Sequence, residues 1–117
     1  MDEVQAAEAS KRYQSRPGRT AVVAADLADL HGPTNGTVDL PIWLFWSSSD
    51  HTFDLGKPFM VRSMYEIVLG EATQPEDLAT YLNGDTLAAV WADLHLPKGV
   101  RQAWEESHPA LRAARVA

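Results

Sequence analysis

From Asp54 onward, proline and glycine cut the chain into short segments whose apolar residues recur at helical spacing. Pro58, Pro75, Pro97 and Pro109, with the Asn83-Gly84 pair, mark the joints. The β-type runs lie earlier, at Thr20-Ala21-Val22-Val23-Ala24 and Thr37-Val38-Asp39-Leu40. This division points to an α+β chain with its helices segregated: an N-terminal β-hairpin followed by a compact bundle of about four helices.

Individual helix signals can be placed on this frame. Lys57 or Asp54 is the entry to the first helix, Pro58 fits its first turn and Gly70 ends it. Met60, Met64, Ile67 and Val68 share one face, with Val61 and Tyr65 beside it. Thr73-Gln74-Pro75-Glu76-Asp77 reads as a second start, with a cap, a proline and two acids that favour the helix dipole. That helix runs to Leu82, where Asn83-Gly84 stops it. Asp85 is the expected cap of a third helix carrying Leu87, Val90, Trp91 and Leu94. Pro97 opens a fourth, with Val100, Ala103 and Trp104 inward and Glu105-Glu106 outward, and Pro109 ends it. Residues 20–112 are expected to form one domain, with 1–19 as a flexible or loosely helical arm and 113–117 as a tail. No internal repeat is visible.

In the N-terminal part, His31-Gly32-Pro33-Thr34-Asn35-Gly36 is dense in turn formers and is expected to join the two β-type runs into a hairpin. Residues 25–30 are expected to extend the first strand, with one helical turn as the alternative. Pro41-Ile42-Trp43-Leu44-Phe45-Trp46 is the most apolar stretch. It can anchor the core, or its exposed part can meet a partner through Trp43 and Trp46, since large aromatics dominate interface energetics.

The chain has no cysteine, which excludes disulfides, thiolate catalysis and cysteine-based metal sites. No apolar run is long enough to span a membrane. The opening MDEVQAAEAS is unlike a secretory signal, so a cytoplasmic location is expected. The net charge of −6 is unevenly spread. Residues 20–97 hold eleven acids against two bases, Lys57 and Arg62, a balance of −9. Residues 1–19 carry +1 and residues 98–117 carry +2. An acidic body serves solubility; it also attracts a basic protein surface and repels phosphate.

Catalytic signals are weak. The four histidines, His31, His51, His95 and His108, have no metal-ligand spacing and read as surface or turn residues. Ser47 to Ser49 with Asp50 and His51 have the residue types of a hydrolase triad but no nucleophile elbow. No phosphate-binding glycine loop occurs. Residues 75–82, the Asn83-Gly84 turn and residues 85–94 have the outline of a helix-turn-helix. Yet residues 75–96 contain Glu76, Asp77, Asp85 and Asp93 and no Lys or Arg, which is unsuited to a groove-reading helix. Nucleic acid could be met only through Lys11, Arg12, Arg16 and Arg19 of the N-terminal arm.

Three segments together resemble a known group: Leu44-Phe45-Trp46-Ser47, the stretch from Phe53-Asp54-Leu55 through Asp77-Leu78, which holds Arg62, and Leu96-Pro97-Lys98-Gly99-Val100-Arg101-Gln102-Ala103-Trp104-Glu105. Across roughly residues 20–112 the chain resembles small bacterial proteins described as transcriptional regulators or antitoxins, encoded beside nucleotidyltransferase-like toxins of the AbiEii/MenT kind. The resemblance implies a protein that binds and neutralises such a toxin, its acidic body facing the toxin's basic, nucleotide- and RNA-binding cleft.

The sequence therefore leads to a non-enzymatic protein-binding module without cofactor or metal, with Trp43, Trp46, Glu76, Asp77, Asp85 and Asp93 as the contact residues. The alternative is a small DNA-binding transcriptional regulator, and homodimer formation is left open.

Overall fold

The computed structural model describes residues 14–16, 19–45 and 51–116. Two short antiparallel pairs of strands precede five helices. Strand β1 (Gln14–Arg16) pairs with β2 (Arg19–Thr20), placing Arg16 opposite Arg19. Strand β3 (Thr37–Asp39) pairs with β4 (Thr52–Asp54), with Val38 opposite Phe53. The helices are α1 (Pro58–Glu71), α2 (Pro75–Tyr81), α3 (Gly84–Val90), α4 (Lys98–Ser107) and α5 (Pro109–Val116). The architecture is α+β with the helices after the hairpin.

The main hairpin pairs residues 37–39 with 52–54, not with 20–24. Asp26 causes much of this difference. Its carboxylate accepts a hydrogen bond from the Ala28 N–H at 2.9 Å and caps a 3-10 turn over Leu27–Asp29. Of the expected run only Thr20 pairs, opposite Gln14 of β1, and residues 25–30 take the helical-turn alternative. The Asn35-Gly36 turn does lead into β3, with Gly36 at φ +81, a conformation that suits glycine. Val38 and Phe53 face the core while Thr37, Asp39 and Thr52 face outward, the period-two pattern of a half-buried ribbon.

Between β3 and β4 the apolar run bends tightly. The N–H groups of Leu44 and Phe45 both donate to the Pro41 carbonyl, at 3.0 and 3.1 Å. Leu44 is buried, and Phe45 packs on the rings of His51 and Phe53 with centroids 5.5 and 5.9 Å apart. Ile42 and Trp43 are left outside. The run therefore anchors the core and exposes an aromatic at once.

Helix α1 buries Met64, Tyr65, Val68 and Leu69. Met60 and Ile67 are only partly covered, so the buried face is rotated from the expected one toward Tyr65 and Leu69. Gly70 lies inside the helix, which closes at Ala72 through its N–H to the Val68 carbonyl. Asn83, rather than Asp85, caps α3: its Oδ1 accepts from the Thr86 N–H at 3.0 Å.

The two fully buried tryptophans sit side by side in the helical half, Trp91 and Trp104, with centroids 6.4 Å apart. A buried indole N–H needs an acceptor, and Glu105 supplies it to Trp91 at 2.9 Å. Glu105 is thereby drawn inward, contrary to its expected outward position. Arg101 lies over the Trp91 ring, 5.0 Å from its centroid, and donates to the Trp91 and Leu94 carbonyls. Helix α4 ends at Ser107, just before Pro109 as expected, but Pro109 then opens α5 where a tail was expected, and Leu111 of α5 is fully buried. His108 is buried and not a surface residue; its Nε2 meets the Ala24 carbonyl at 2.7 Å. A carbonyl can only accept, so that nitrogen carries the proton.

The link between α2 and α3 is held on two sides. The Asn83 N–H donates to the Tyr65 hydroxyl at 2.9 Å. From the other side the His31 and Gly32 N–H groups donate to the Ala79 and Leu82 carbonyls at 3.0 and 2.7 Å. A methyl group on Gly32 would run into the Tyr81–Leu82 peptide, and one on Gly84 into the Leu27 carbonyl.

Gly32→Ala is therefore expected to destabilise the fold by about 1–3 kcal/mol, seen as a lower urea midpoint; an unchanged midpoint contradicts this close approach. Burial pushes the Tyr65 hydroxyl above its ordinary value of 10.0, against smaller opposing hydrogen bonds from the Asn83 N–H and the Thr86 side chain. The folded state then holds that proton more tightly than the unfolded one. Tyr65 contributes in full below about pH 10, and its contribution falls as pH rises through the folded value. Melting curves across alkaline pH should show a steeper loss for the parent chain than for Tyr65→Phe.

Candidate functional site

A helix start leaves backbone N–H groups in need of acceptors, and at α2 those of Thr73 and Gln74 lie just before Pro75. Asp77, at the third helical position, fills that need. Its Oδ2 accepts from the Thr73 N–H at 3.1 Å and the Gln74 N–H at 3.3 Å. Its other oxygen, Oδ1, accepts from the Trp43 indole N–H at 3.3 Å. One carboxylate thus starts the helix and fastens to it an aromatic from the β3–β4 connection, 34 residues away in sequence.

Trp43 nevertheless remains 64% exposed, and its neighbour Ile42 is 67% exposed. Beside Trp43 lies a groove of about 490 Å³ lined by Trp43, Thr73, Gln74, Glu76, Asp77, Thr80 and Tyr81. The helical repeat explains the lining. Glu76 and Thr80 are four residues apart and form one row on α2; Asp77 and Tyr81 form the next. The wall therefore presents two carboxylates, hydroxyls and two aromatic rings, and among the described residues none that lines it is cationic. Such a surface suits a positively charged or hydrogen-bond-donating group.

The expected contact residues divide. Trp43, Glu76 and Asp77 come together here, with Asp77 held by its capping bonds and Glu76 exposed. Asp85 is exposed in the first turn of α3, and Asp93 is exposed in the 3-10 turn Trp91–Asp93. Neither lines the groove. Trp46, Lys11 and Arg12 lie outside the described residues, while Arg16 and Arg19 are the opposed pair of β1 and β2. Sequence reasoning overlooked Thr80 and Tyr81, whose signal was their four-residue spacing from the two acids. It also overlooked Ile42, beside Trp43.

The other candidates resolve differently. The helix-turn-helix outline exists as α2 and α3, but its turn is occupied by Tyr65 and the His31-Gly32 backbone. Ser47 to Asp50 lie outside the described residues; His51 Nδ1 is 3.2 Å from the Leu40 carbonyl and its ring packs on Phe45. Among the described residues no group of three His, Asp or Glu side chains converges as a metal would require. No described helix is long and apolar enough to cross a membrane.

No family model, curated protein or solved structure matches the chain.

Two neighbouring acids should behave differently on substitution. Asp77→Ala removes a cap and the Trp43 tether and should cost about 1 kcal/mol or more. Glu76→Gln should stay within about 0.5 kcal/mol of the parent. Equal urea midpoints for the two variants would show that Asp77 does not hold the site together.

Proposed function

We propose that the chain is a non-enzymatic protein-binding module, the antitoxin of a two-component pair, whose partner is a nucleotidyltransferase-type toxin. The observation that supports this most is Trp43: a large aromatic held largely in solvent by a hydrogen bond to a helix-starting carboxylate, at the edge of an acidic groove. Aromatics of this kind are enriched at the energetic centres of protein interfaces. The acidity around it suits a basic partner surface, and the balance of −9 over residues 20–97 would speed encounter at low salt. The resemblance of residues 20–112 to antitoxin-like proteins supplies the toxin class.

This reading predicts that a neighbouring gene encodes a nucleotidyltransferase-type toxin, and the test is co-expression of the two. The pair is expected to elute as one species and the toxin to lose its transferase activity. Trp43→Ala should weaken the complex by about tenfold or more without unfolding the chain. Separate elution of the two wild-type proteins overturns the proposal.

A second reading, a DNA-binding regulator acting through Lys11, Arg12, Arg16 and Arg19, draws on the opposition of Arg16 to Arg19 in the β1–β2 pair. Retardation of the gene's own promoter fragment at moderate salt, lost on removing residues 1–19, would support it. Helices α2 and α3 are not offered as its readers, because residues 75–96 carry no cation.

A further inference from the structure

We infer that the groove lined by Trp43 and α2 is a receptor for an arginine side chain presented by the partner protein. The inference deepens the protein-binding proposal and rests on it for the source of the arginine. Three features favour a guanidinium. The indole face of a 64% exposed tryptophan offers a flat, electron-rich platform that is already positioned by its bond to Asp77. The neighbouring row places the exposed Glu76 carboxylate one turn from the Thr80 hydroxyl on the same wall. Finally, residues 63–97 carry six carboxylates and no Lys or Arg, so no cation from this stretch of chain competes for the groove.

Arginine fits this wall better than lysine. Its planar group can stack on an aromatic ring while its edge donates in parallel to a carboxylate, and it is less tightly hydrated than an ammonium. Asp77 contributes charge rather than a free acceptor, since both its oxygens already receive N–H bonds. Glu76 is the group that would take the guanidinium edge. The positive end of the α2 dipole opposes a cation, and the two carboxylates in its first turn offset it.

The probes are three capped tripeptides, acetyl-Gly-Xaa-Gly-amide, with Xaa as arginine, lysine or the neutral arginine isostere citrulline. They are titrated into the full chain while the NMR signals of the Trp43 indole N–H and the α2 amides are followed. Saturable shifts of these signals are expected with arginine, weaker ones with lysine, and none with citrulline. Glu76→Gln should weaken arginine binding about fivefold, and Trp43→Ala by a similar factor. Absence of shifts with arginine, equal shifts with citrulline, or undiminished affinity in Glu76→Gln overturns the inference. A companion measurement separates the two proposals. If Glu76→Gln and Trp43→Ala capture the toxin as tightly as the parent, the arginine receptor fails while the module stands. If the peptide binds as expected but wild-type chain captures no toxin, the receptor stands and its assigned source fails.

Discussion

The α2–α3 link depends on being gripped from both sides, and much of the molecule's geometry follows from that grip. Asn83 donates its backbone N–H to the buried Tyr65 hydroxyl while its side chain caps α3. The His31-Gly32 backbone closes the other side, near enough that glycine is required. These bonds tie α1, the N-terminal segment and the two short helices together at one point. They also fix the direction of α2, whose start then meets Trp43. A seven-residue helix has little stability of its own, so its orientation has to come from such tertiary contacts.

A second brace works through the tryptophans. Trp91 gives its indole N–H to Glu105 and its face to Arg101, and Arg101 also donates to the carbonyls of Trp91 and Leu94 at the two ends of the 3-10 turn. Burial of Trp91 beside Trp104 supplies the apolar surface, and the polar contacts fix how α4 lies on it. The Trp104 indole nitrogen is buried with no partner among the described residues. The α2 surface is thus carried on a helical core that leaves Glu76 and Trp43 facing water.

The helical half was legible because its signals are local. Pro58, Pro75 and Pro97 start helices where expected, and Leu87, Trp91, Leu94, Val100 and Trp104 are buried as their spacing suggests. Pairings between distant segments were not legible. Residues 20–24 look like a strand, yet beyond Thr20 they pair with no strand, and the chain turns away through the capping bond of Asp26 and the bonds of His31 and Gly32 to the Ala79 and Leu82 carbonyls. Glu105 looks exposed until the buried indole N–H of Trp91 is taken into account. At the site the acids of α2 were visible in sequence, but not that Asp77 would be spent on capping and on Trp43. Tyr81 and Thr80 come into view only when α2 is wound and Trp43 is placed across from it.

The central claim is that this molecule meets its partner with the α2 groove and Trp43, not with a DNA-reading helix. Amide hydrogen exchange of the chain alone and in complex with the proposed toxin partner tests it most directly. The account predicts new protection at residues 42–45 and 73–81 on complex formation. Protection confined to residues 84–94, with 42–45 and 73–81 unchanged, would contradict it.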